Sequence, residues 1–146
     1  MIIQLIGLPC SGKTHVINKI KLSGLSINFF NLTAYTGLDR ESRMLKDVKL
    51  ANKQTSLTIV ESACGLENLN SIVVMLRVSN QQLKSNQIKR QYNLSSKTTY
   101  DIIGQMLPPT YTAYSTRSCR TLIETIIKME FPHVSDSERN SYTKNN

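Results

Sequence analysis

Several residue types that define other protein classes are scarce in this sequence. It contains no tryptophan, and aromatic residues make up only 6% of the chain. Its three cysteines, Cys10, Cys64 and Cys119, are odd in number and form no CxxC pair. This spacing argues against a zinc site and a disulfide framework, so we expect buried free thiols in a reducing cytoplasm. The apolar stretches are far shorter than the roughly 20 residues of a membrane helix, and the N-terminal residues lack the basic lead of a secretory signal.

Acidic residues are also scarce relative to basic ones. The chain has 10 Asp and Glu residues against 18 Lys and Arg residues, which gives a formal net charge of +8. Such an excess favours anionic partners: nucleic acid, nucleotides or an acidic membrane surface. The length of 146 residues suits one domain. We expect that domain at residues 1–130, followed by a polar and flexible tail at 131–146.

Short apolar runs alternate with amphipathic or polar segments along the chain. We predict strands at residues 2–6, 25–32, 57–60 and 71–78, and a last strand or strand–helix hybrid at 119–127. Helices are predicted at 12–22, at 80–91 and at 99–107, where Pro108-Pro109 ends the helix, with one or two more helices within 33–52. This alternation indicates an α/β protein with a parallel sheet and helices on both faces. Ligands of such sheets bind beyond the carboxyl ends of the strands.

The strongest functional signal directly follows the first predicted strand. Residues 7–14 read GLPCSGKT and match the phosphate-loop motif G-x-x-x-x-G-K-[ST]. The glycines allow the backbone to approach a ligand closely, and the loop N–H groups then converge on phosphates at the start of the next helix. Lysine reaches the β- and γ-phosphates, and the threonine hydroxyl serves Mg²⁺. The predicted nucleotide-binding residues of this loop are Gly7, Pro9, Cys10, Ser11, Gly12, Lys13 and Thr14.

The loop resembles that of the P-loop kinases, the nucleoside and nucleotide kinase branch of the P-loop NTPases. Residues 71–91 resemble the later strand of that family, its Leu-Arg turn and the basic helix that leads into the lid. The resemblance implies a three-layer fold whose five parallel strands lie in the order 2-3-1-4-5. It also implies ATP and Mg²⁺ as cofactors, with Lys13 in a catalytic role.

Glu61 directly follows the third predicted strand, where P-loop enzymes supply a carboxylate near Mg²⁺. It resembles the strand-end Glu of uridine-kinase-like enzymes. We expect it to hold Mg²⁺ together with Thr14, or to activate the acceptor hydroxyl; a surface Glu is the alternative. Many kinases of the family also carry an Asp after the second strand, whereas this chain reads NLTAY from Asn31, and Asp39 is a weak substitute. Either Glu61 serves both roles, or catalysis is weak or absent.

Positive charge around the transferred phosphoryl group assists this chemistry. By resemblance Arg90 is the lid arginine and a catalytic residue. Arg77, at the end of the fourth strand, is a candidate nucleotide ligand or a structural residue. For His15 we expect a structural role. Other candidates are also interpretable as solvated or packing residues. By resemblance Arg40, Arg43 and Lys46 lie where the family binds its phosphate acceptor, and Lys84 and Lys89 lie on the helix before the lid. Arg117, Arg120, Tyr111 and Tyr114 lie near the expected adenine-side loop.

Three functions are consistent with these residues. The first is a small kinase that transfers the γ-phosphate of ATP to a nucleoside, a nucleotide or a similar small acceptor. The second is a polynucleotide 5′-kinase or nucleic-acid-linked ATPase, which the net charge favours. The third is a non-catalytic nucleotide-binding module, suggested by the missing acid. A GTPase is disfavoured because residues 52–55, NKQT, lack the Asp that reads guanine. The acceptor and the oligomeric state stay open, with a dimer as one alternative.

Overall fold

The computed structural model describes residues 1–136 of the chain. Strands and helices alternate through most of it, as the hydrophobic pattern predicts. In chain order the elements are β1 (Ile2–Ile6), α1 (Lys13–Lys19), β2 (Leu22–Ser23), β3 (Ile27–Asn31), a 3-10 turn (Leu32–Ala34), α2 (Arg40–Gln54), β4 (Leu57–Ser62), β5 (Ile72–Leu76), α3 (Asn80–Lys89), α4 (Ser96–Gln105), β6 (Tyr111–Ala113), α5 (Thr116–Glu130) and β7 (Ser135–Asp136).

Five of these strands form one parallel sheet in the order β3-β4-β1-β5-β6. When only these five strands are counted along the chain, the order is 2-3-1-4-5, as predicted. The central strand β1 is buried along its whole length, which explains its nearly continuous apolar sequence. Because all five strands run in parallel, the segments that follow them meet at one edge of the sheet.

The fifth strand is not where the sequence suggested. Residues 119–127 were predicted to be a strand or a strand–helix hybrid, but they lie inside helix α5. Its buried residues, Cys119, Ile123, Ile126 and Ile127, recur at helical spacing. Ser115 caps the helix by accepting a hydrogen bond from the Ser118 N–H. The fifth strand of the sheet is instead β6, which is only three residues long and lies at the sheet edge. So short a strand has no apolar run in its sequence by which it could be predicted.

Helices cover both faces of the sheet and create two separate cores. Helices α1 and α5 pack against each other on one face, where Val16 and Ile123 meet sheet residues such as Leu5. Helix α2 covers the other face, where Met44 and Val48 pack on Ile2 and on strand β4. The three-layer α/β class is thereby confirmed. Since side chains alternate along a strand, Ile2 and Gln4 share the α2 face of β1.

Helix α2 is a single helix preceded by a short turn, which resolves the prediction of one or two helices within 33–52. Residues 131–136, assigned to the tail by sequence, pack on the domain. Val134 is buried, and β7 pairs in antiparallel orientation with β2. The rest of the predicted tail, 137–146, lies outside the described residues.

A buried hydroxyl on strand β4 gives a stability prediction. The Thr58 side-chain oxygen is buried and has no hydrogen-bond partner within residues 1–136. A valine of the same shape would remove this unsatisfied group and keep the packing, so Thr58→Val should stabilise the protein by about 1 kcal/mol. The measurement is urea unfolding at equilibrium. Thr55→Val is the matched control, because the Thr55 hydroxyl accepts from Asn28 Nδ2 at 2.9 Å and donates to the Ala51 carbonyl at 3.1 Å. It should destabilise by a similar amount, and a destabilised Thr58→Val would contradict the prediction.

Candidate functional site

The loop that follows β1, residues 7–14, folds around the side chain of Lys13. This side chain is 9% exposed, and its Nζ donates to the carbonyl oxygens of Gly7 at 2.7 Å and Leu8 at 3.0 Å. Strand β1 ends at Ile6 and helix α1 begins at Lys13, so the loop links a central strand to a helix N-terminus. The ammonium group is thus held against the loop by two of its backbone carbonyl groups.

Two glycines make this loop shape accessible. Gly12 has φ +105°, and a Cβ there would lie 2.7 Å from the Thr116 side chain. A Cβ on Gly7 would lie 2.7 Å from the Leu76 carbonyl oxygen. Between them, the Ser11 hydroxyl is buried and has no hydrogen-bond partner in the described part of the chain. An unpartnered buried donor beside a lysine suits a bound anion.

A short chain of hydrogen bonds connects the first turn of α1 to the carboxyl ends of strands β3 and β4. Thr14 Oγ1 donates to Glu61 Oε1 at 2.8 Å, and Asn31 Nδ2 donates to Glu61 Oε2 at 3.1 Å. Asn31 and Glu61 are register partners on the adjacent strands β3 and β4. Asn31 Oδ1 in turn accepts from the Thr33 N–H and hydroxyl, which fixes the orientation of its amide. Both oxygens of the buried Glu61 carboxylate are therefore positioned by neighbours.

Thr14 and Glu61 are the residues that could hold a metal ion. Within residues 1–136 no cluster of three or more His, Cys, Asp and Glu side chains is arranged to hold a metal. A hydroxyl and one carboxylate nevertheless suit Mg²⁺, which is usually bound by one or two protein oxygens together with substrate phosphates. The adjacent oxygens of Thr14 and Glu61 match that donor set.

Burial controls the charge of Lys13. It lowers the pKa of the ammonium from 10.5 to about 8, while the nearby Glu61 carboxylate and Cys10 partly oppose this shift. The positive charge of Arg90 lowers the pKa further, so Arg90 is close enough to act on Lys13 through space. The negative charge near Lys13 is therefore too small to hold its pKa at the usual value. A bound polyanion would add negative charge and raise that pKa.

A cavity of about 640 Å³ opens beside the loop, and we call it the basic cavity. Cys10, Ser11 and Gly12 form one wall, and the basic side chains at the cavity are His15, Lys89 and Arg90. No carboxylate occurs among the described residues that line it. Asn86 of α3 donates to the Cys10 carbonyl at 2.8 Å, which attaches the helix carrying Lys89 to the loop.

The structure separates the other sequence candidates. Pro9 is half-buried in the loop. Arg77 is exposed after β5 and is absent from the residues that line the basic cavity. Arg43, proposed near an acceptor phosphate, instead bonds Asp39 and the Thr36 carbonyl and lies over the Tyr35 ring. Of the remaining candidates, Tyr114 lines the basic cavity, Lys84 lines a smaller cavity, Arg120 pairs with Glu124, and Arg117 lines a surface groove on α5. Arg40, Lys46 and Tyr111 are exposed.

Sequence reasoning missed the positioning roles of Asn31, Asn86 and Gln4. Asn31 was noted for the acid that it replaces, but its contact with Glu61 depends on cross-strand register. Gln4 is fully buried and bonds the Leu66 backbone twice, through Nε2 to the carbonyl at 2.9 Å and through Oε1 from the N–H at 2.7 Å. A lone polar residue within an otherwise apolar central strand was the available signal for Gln4, because buried polar groups need partners.

Comparison with solved structures shows what the fold resembles. An unliganded sugar kinase from Janibacter sp. HTCC2649 aligns with a TM-score of 0.53 and 15% identity, covering 87% of this chain and 92% of that one. The protein APE1195 aligns with a TM-score of 0.51 and 13% identity, covering 90% of this chain and 96% of that one. No protein-family model and no curated protein matches the sequence. The chain thus shares its α/β fold with a kinase across most of both chains.

No helix within residues 1–136 is long and apolar enough to cross a bilayer.

Proposed function

We propose that the protein is an ATP-dependent kinase of the P-loop type that phosphorylates a small hydroxyl acceptor. The observation that carries the proposal is the arrangement of Lys13 within the loop, with the Thr14–Glu61 pair beside it. A lysine, a converging backbone and a hydroxyl–carboxylate pair are the groups that phosphoryl transfer requires. The sugar kinase that shares the fold supports a phosphotransferase in general terms.

Each group then has a defined role. The backbone of residues 7–14 and the Lys13 ammonium bind the β- and γ-phosphates, and the basic cavity accommodates the rest of the nucleotide. Arg90 supplies positive charge to the transferred group from the cavity wall. Thr14 and Glu61 would hold Mg²⁺, which neutralises phosphate charge when bound. Glu61 also accepts the proton of the acceptor hydroxyl.

The reaction balances with these groups. The acceptor oxygen forms a bond to the γ-phosphorus as the bond to the β–γ bridging oxygen breaks. ADP leaves with that electron pair, and the acceptor proton passes to the Glu61 carboxylate.

The test is a panel of acceptors with labelled ATP and Mg²⁺: nucleosides, nucleotides, sugars, amino alcohols and 5′-hydroxyl oligonucleotides. Labelled product with a small acceptor supports the proposal, whereas label on the oligonucleotide alone would indicate a polynucleotide kinase. ATP binding with no transfer to any acceptor would favour a non-catalytic module. One observation favours the non-catalytic module, because Asn31 stands where many P-loop kinases carry an acid.

The pKa of Lys13 gives a pH prediction for nucleotide binding. The free protein loses this charge as pH rises through about 8, whereas bound phosphates favour the charged form and raise the pKa. ATP affinity should therefore fall about tenfold per pH unit between pH 8 and the raised pKa, with proton uptake on binding. Calorimetry at pH 8.5 in two buffers of different ionisation enthalpy measures that uptake. Lys13→Met is the control, with weaker and pH-independent binding, and binding without proton uptake in the wild type would contradict the prediction.

The same shift has a separate consequence for stability. Between pH 8 and 10.5 the unfolded chain binds the Lys13 proton more tightly than the folded protein does. The free energy of unfolding contributed by this group therefore rises with pH across that window.

A further inference from the structure

A second cavity of about 620 Å³ lies beyond the end of β4, and we call it the acidic cavity. Its volume is typical of small-molecule sites. The segment that follows Glu61 forms one wall through Cys64 and Gly65, and residues 104–108 at the end of α4 form another. Leu107 N–H donates to the Cys64 carbonyl at 2.8 Å, which joins these two walls.

This cavity adjoins the predicted phosphate loop. Gly7 N–H donates to the Ala63 carbonyl at 3.2 Å, so the loop is bonded to the residue before Cys64. Burial and the Glu41 carboxylate raise the pKa of the Cys64 thiol, whereas the Lys13 ammonium lowers it. Cys64 therefore lies within electrostatic reach of Lys13 on one side and of Glu41 on the other. A ligand in this cavity would lie next to the groups that handle the γ-phosphate.

Hydrogen bonds with buried side chains of β1 and β4 fix the wall formed by residues 64–67. Gln4 bonds both backbone groups of Leu66, and its Nε2 also donates to Ser71 Oγ at 2.9 Å. Gly65 N–H donates to Ser62 Oγ at 2.9 Å. Because Gln4 is fully buried, breaking its bonds to Leu66 would leave polar groups unsatisfied. This part of the cavity is therefore preformed.

The charge of the second cavity is opposite to that of the first. Glu41 and Glu67 line it, and no Lys, Arg or His occurs among the described residues that do so. Arg43, on the same helix as Glu41, is engaged by Asp39 and by the Thr36 carbonyl. The remaining lining groups that are polar in their side chains are neutral: Ser42, Cys64, Asn68 and Gln105. A phosphate or carboxylate in this cavity would meet two carboxylates and no lining cation.

We propose that the acidic cavity binds the phosphate acceptor, and that this acceptor is a small hydroxyl compound carrying a protonated amine. The proposal rests on the kinase function proposed above. Glu41 and Glu67 would bind the ammonium group, while the hydroxyl faces the Glu61 side of the loop. The net charge of +8 does not reverse this preference, because charges beyond about 8 Å are largely screened at physiological salt.

Compounds of matched size and different charge test the proposal. The protein is loaded with Mg²⁺ and a non-hydrolysable ATP analogue. Binding of three sets is then measured by NMR: amino sugars and amino alcohols such as glucosamine, neutral polyols such as glucose, and sugar acids and phosphates such as gluconate. The amide signals of Gly65 and Gly104, which line the acidic cavity, report where each compound binds. We expect the amine set to contain the tightest binders, about tenfold tighter than neutral analogues, with the anions weakest.

Charge-removing variants complete the test. Glu41→Gln combined with Glu67→Gln should reduce the preference for amines over neutral analogues to within about twofold. Glu130→Gln, an exposed charge at the end of α5, should leave it unchanged. Absence of amine binding at these signals, tighter binding of anions, or a preference unaltered in the double variant would each overturn the proposal.

The outcome also separates this inference from the kinase proposal. Product formation from labelled ATP is measured for the same compounds. Transfer of label to a phosphorylated or carboxylated acceptor would keep the kinase and overturn the amine preference. Amine binding in the acidic cavity without label transfer to any compound would keep the binding preference and overturn the kinase.

Discussion

Replacing Lys13 with methionine should weaken ATP binding roughly 100-fold and lower kcat/KM roughly 10³-fold, as expected when a charged donor to the transferred phosphate is removed. Methionine keeps most of the apolar stem but removes the Nζ that donates to the Gly7 and Leu8 carbonyls. The variant should still fold, since methionine does not carry the desolvation cost of the buried ammonium, which is the cause of the lowered Lys13 pKa.

The measurements are calorimetric ATP binding at pH 7 and steady-state kinetics with the acceptor found in the panel. Lys19→Met provides the matched control, because Lys19 is an exposed lysine in the last turn of the same helix. It should bind ATP as the wild type does. Equal ATP affinity in Lys13→Met and wild type would remove the basis of the proposed function.

Glu61→Gln should reduce the rate of phosphoryl transfer by about 10²- to 10⁴-fold, the range expected for loss of a general base. The fold should be retained, because a glutamine oxygen can accept from Asn31 Nδ2 while its amide donates to the Thr14 hydroxyl. ATP binding without Mg²⁺ should change little, whereas the Mg²⁺ concentration needed for activity should rise. Single-turnover kinetics against Mg²⁺ concentration distinguish the two effects. An unchanged transfer rate would show that Glu61 neither accepts the proton nor holds the metal.

Asn31→Asp tests how Glu61 is positioned. The new carboxylate would lie where the Asn31 amide now donates to Glu61 Oε2 at 3.1 Å. Two carboxylates at this distance share a proton, so the acidic limb of the pH–rate profile should move to higher pH by one unit or more. Asn31→Ala, which removes the donor without adding charge, should lower the rate and move that limb much less. Identical pH profiles for the three proteins would show that Asn31 has no influence on Glu61.

The predictable parts of this molecule are those encoded locally. The loop of residues 7–14 needs only its own glycines and the flanking strand and helix, so its eight residues were sufficient to predict a loop between a central strand and a helix. The position of Glu61 near the end of its strand was predictable for a similar reason, since it directly follows an apolar run. The contact between Asn31 and Glu61 requires β3 and β4 to pair in one register, and sequence spacing alone does not give that register.

One prediction was wrong, and one candidate residue has local partners that the sequence did not indicate. The apolar residues of 119–127 suit a strand as a short run, but over the longer segment they fall on one face of a helix capped by Ser115. Arg43 was a candidate for binding an acceptor phosphate, yet a nearby aspartate, a carbonyl and a tyrosine ring already engage it. Such local partners are determined by the turn before α2, which the sequence pattern left undefined.

The packing of the first helix on the last one has a consequence for the order of folding during synthesis. Helix α1, which carries Lys13 and Thr14, rests on α5, and the paired strands β2 and β7 join the segment after α1 to residues 135–136. The contact between Ser23 and Ser135 spans 112 positions along the chain, so it requires nearly the whole described chain to have been synthesised. A nascent chain that has emerged only as far as α4 would contain the whole predicted phosphate loop but lack the helix on which α1 packs. We therefore expect nucleotide binding to begin only after the C-terminal helix has left the ribosome.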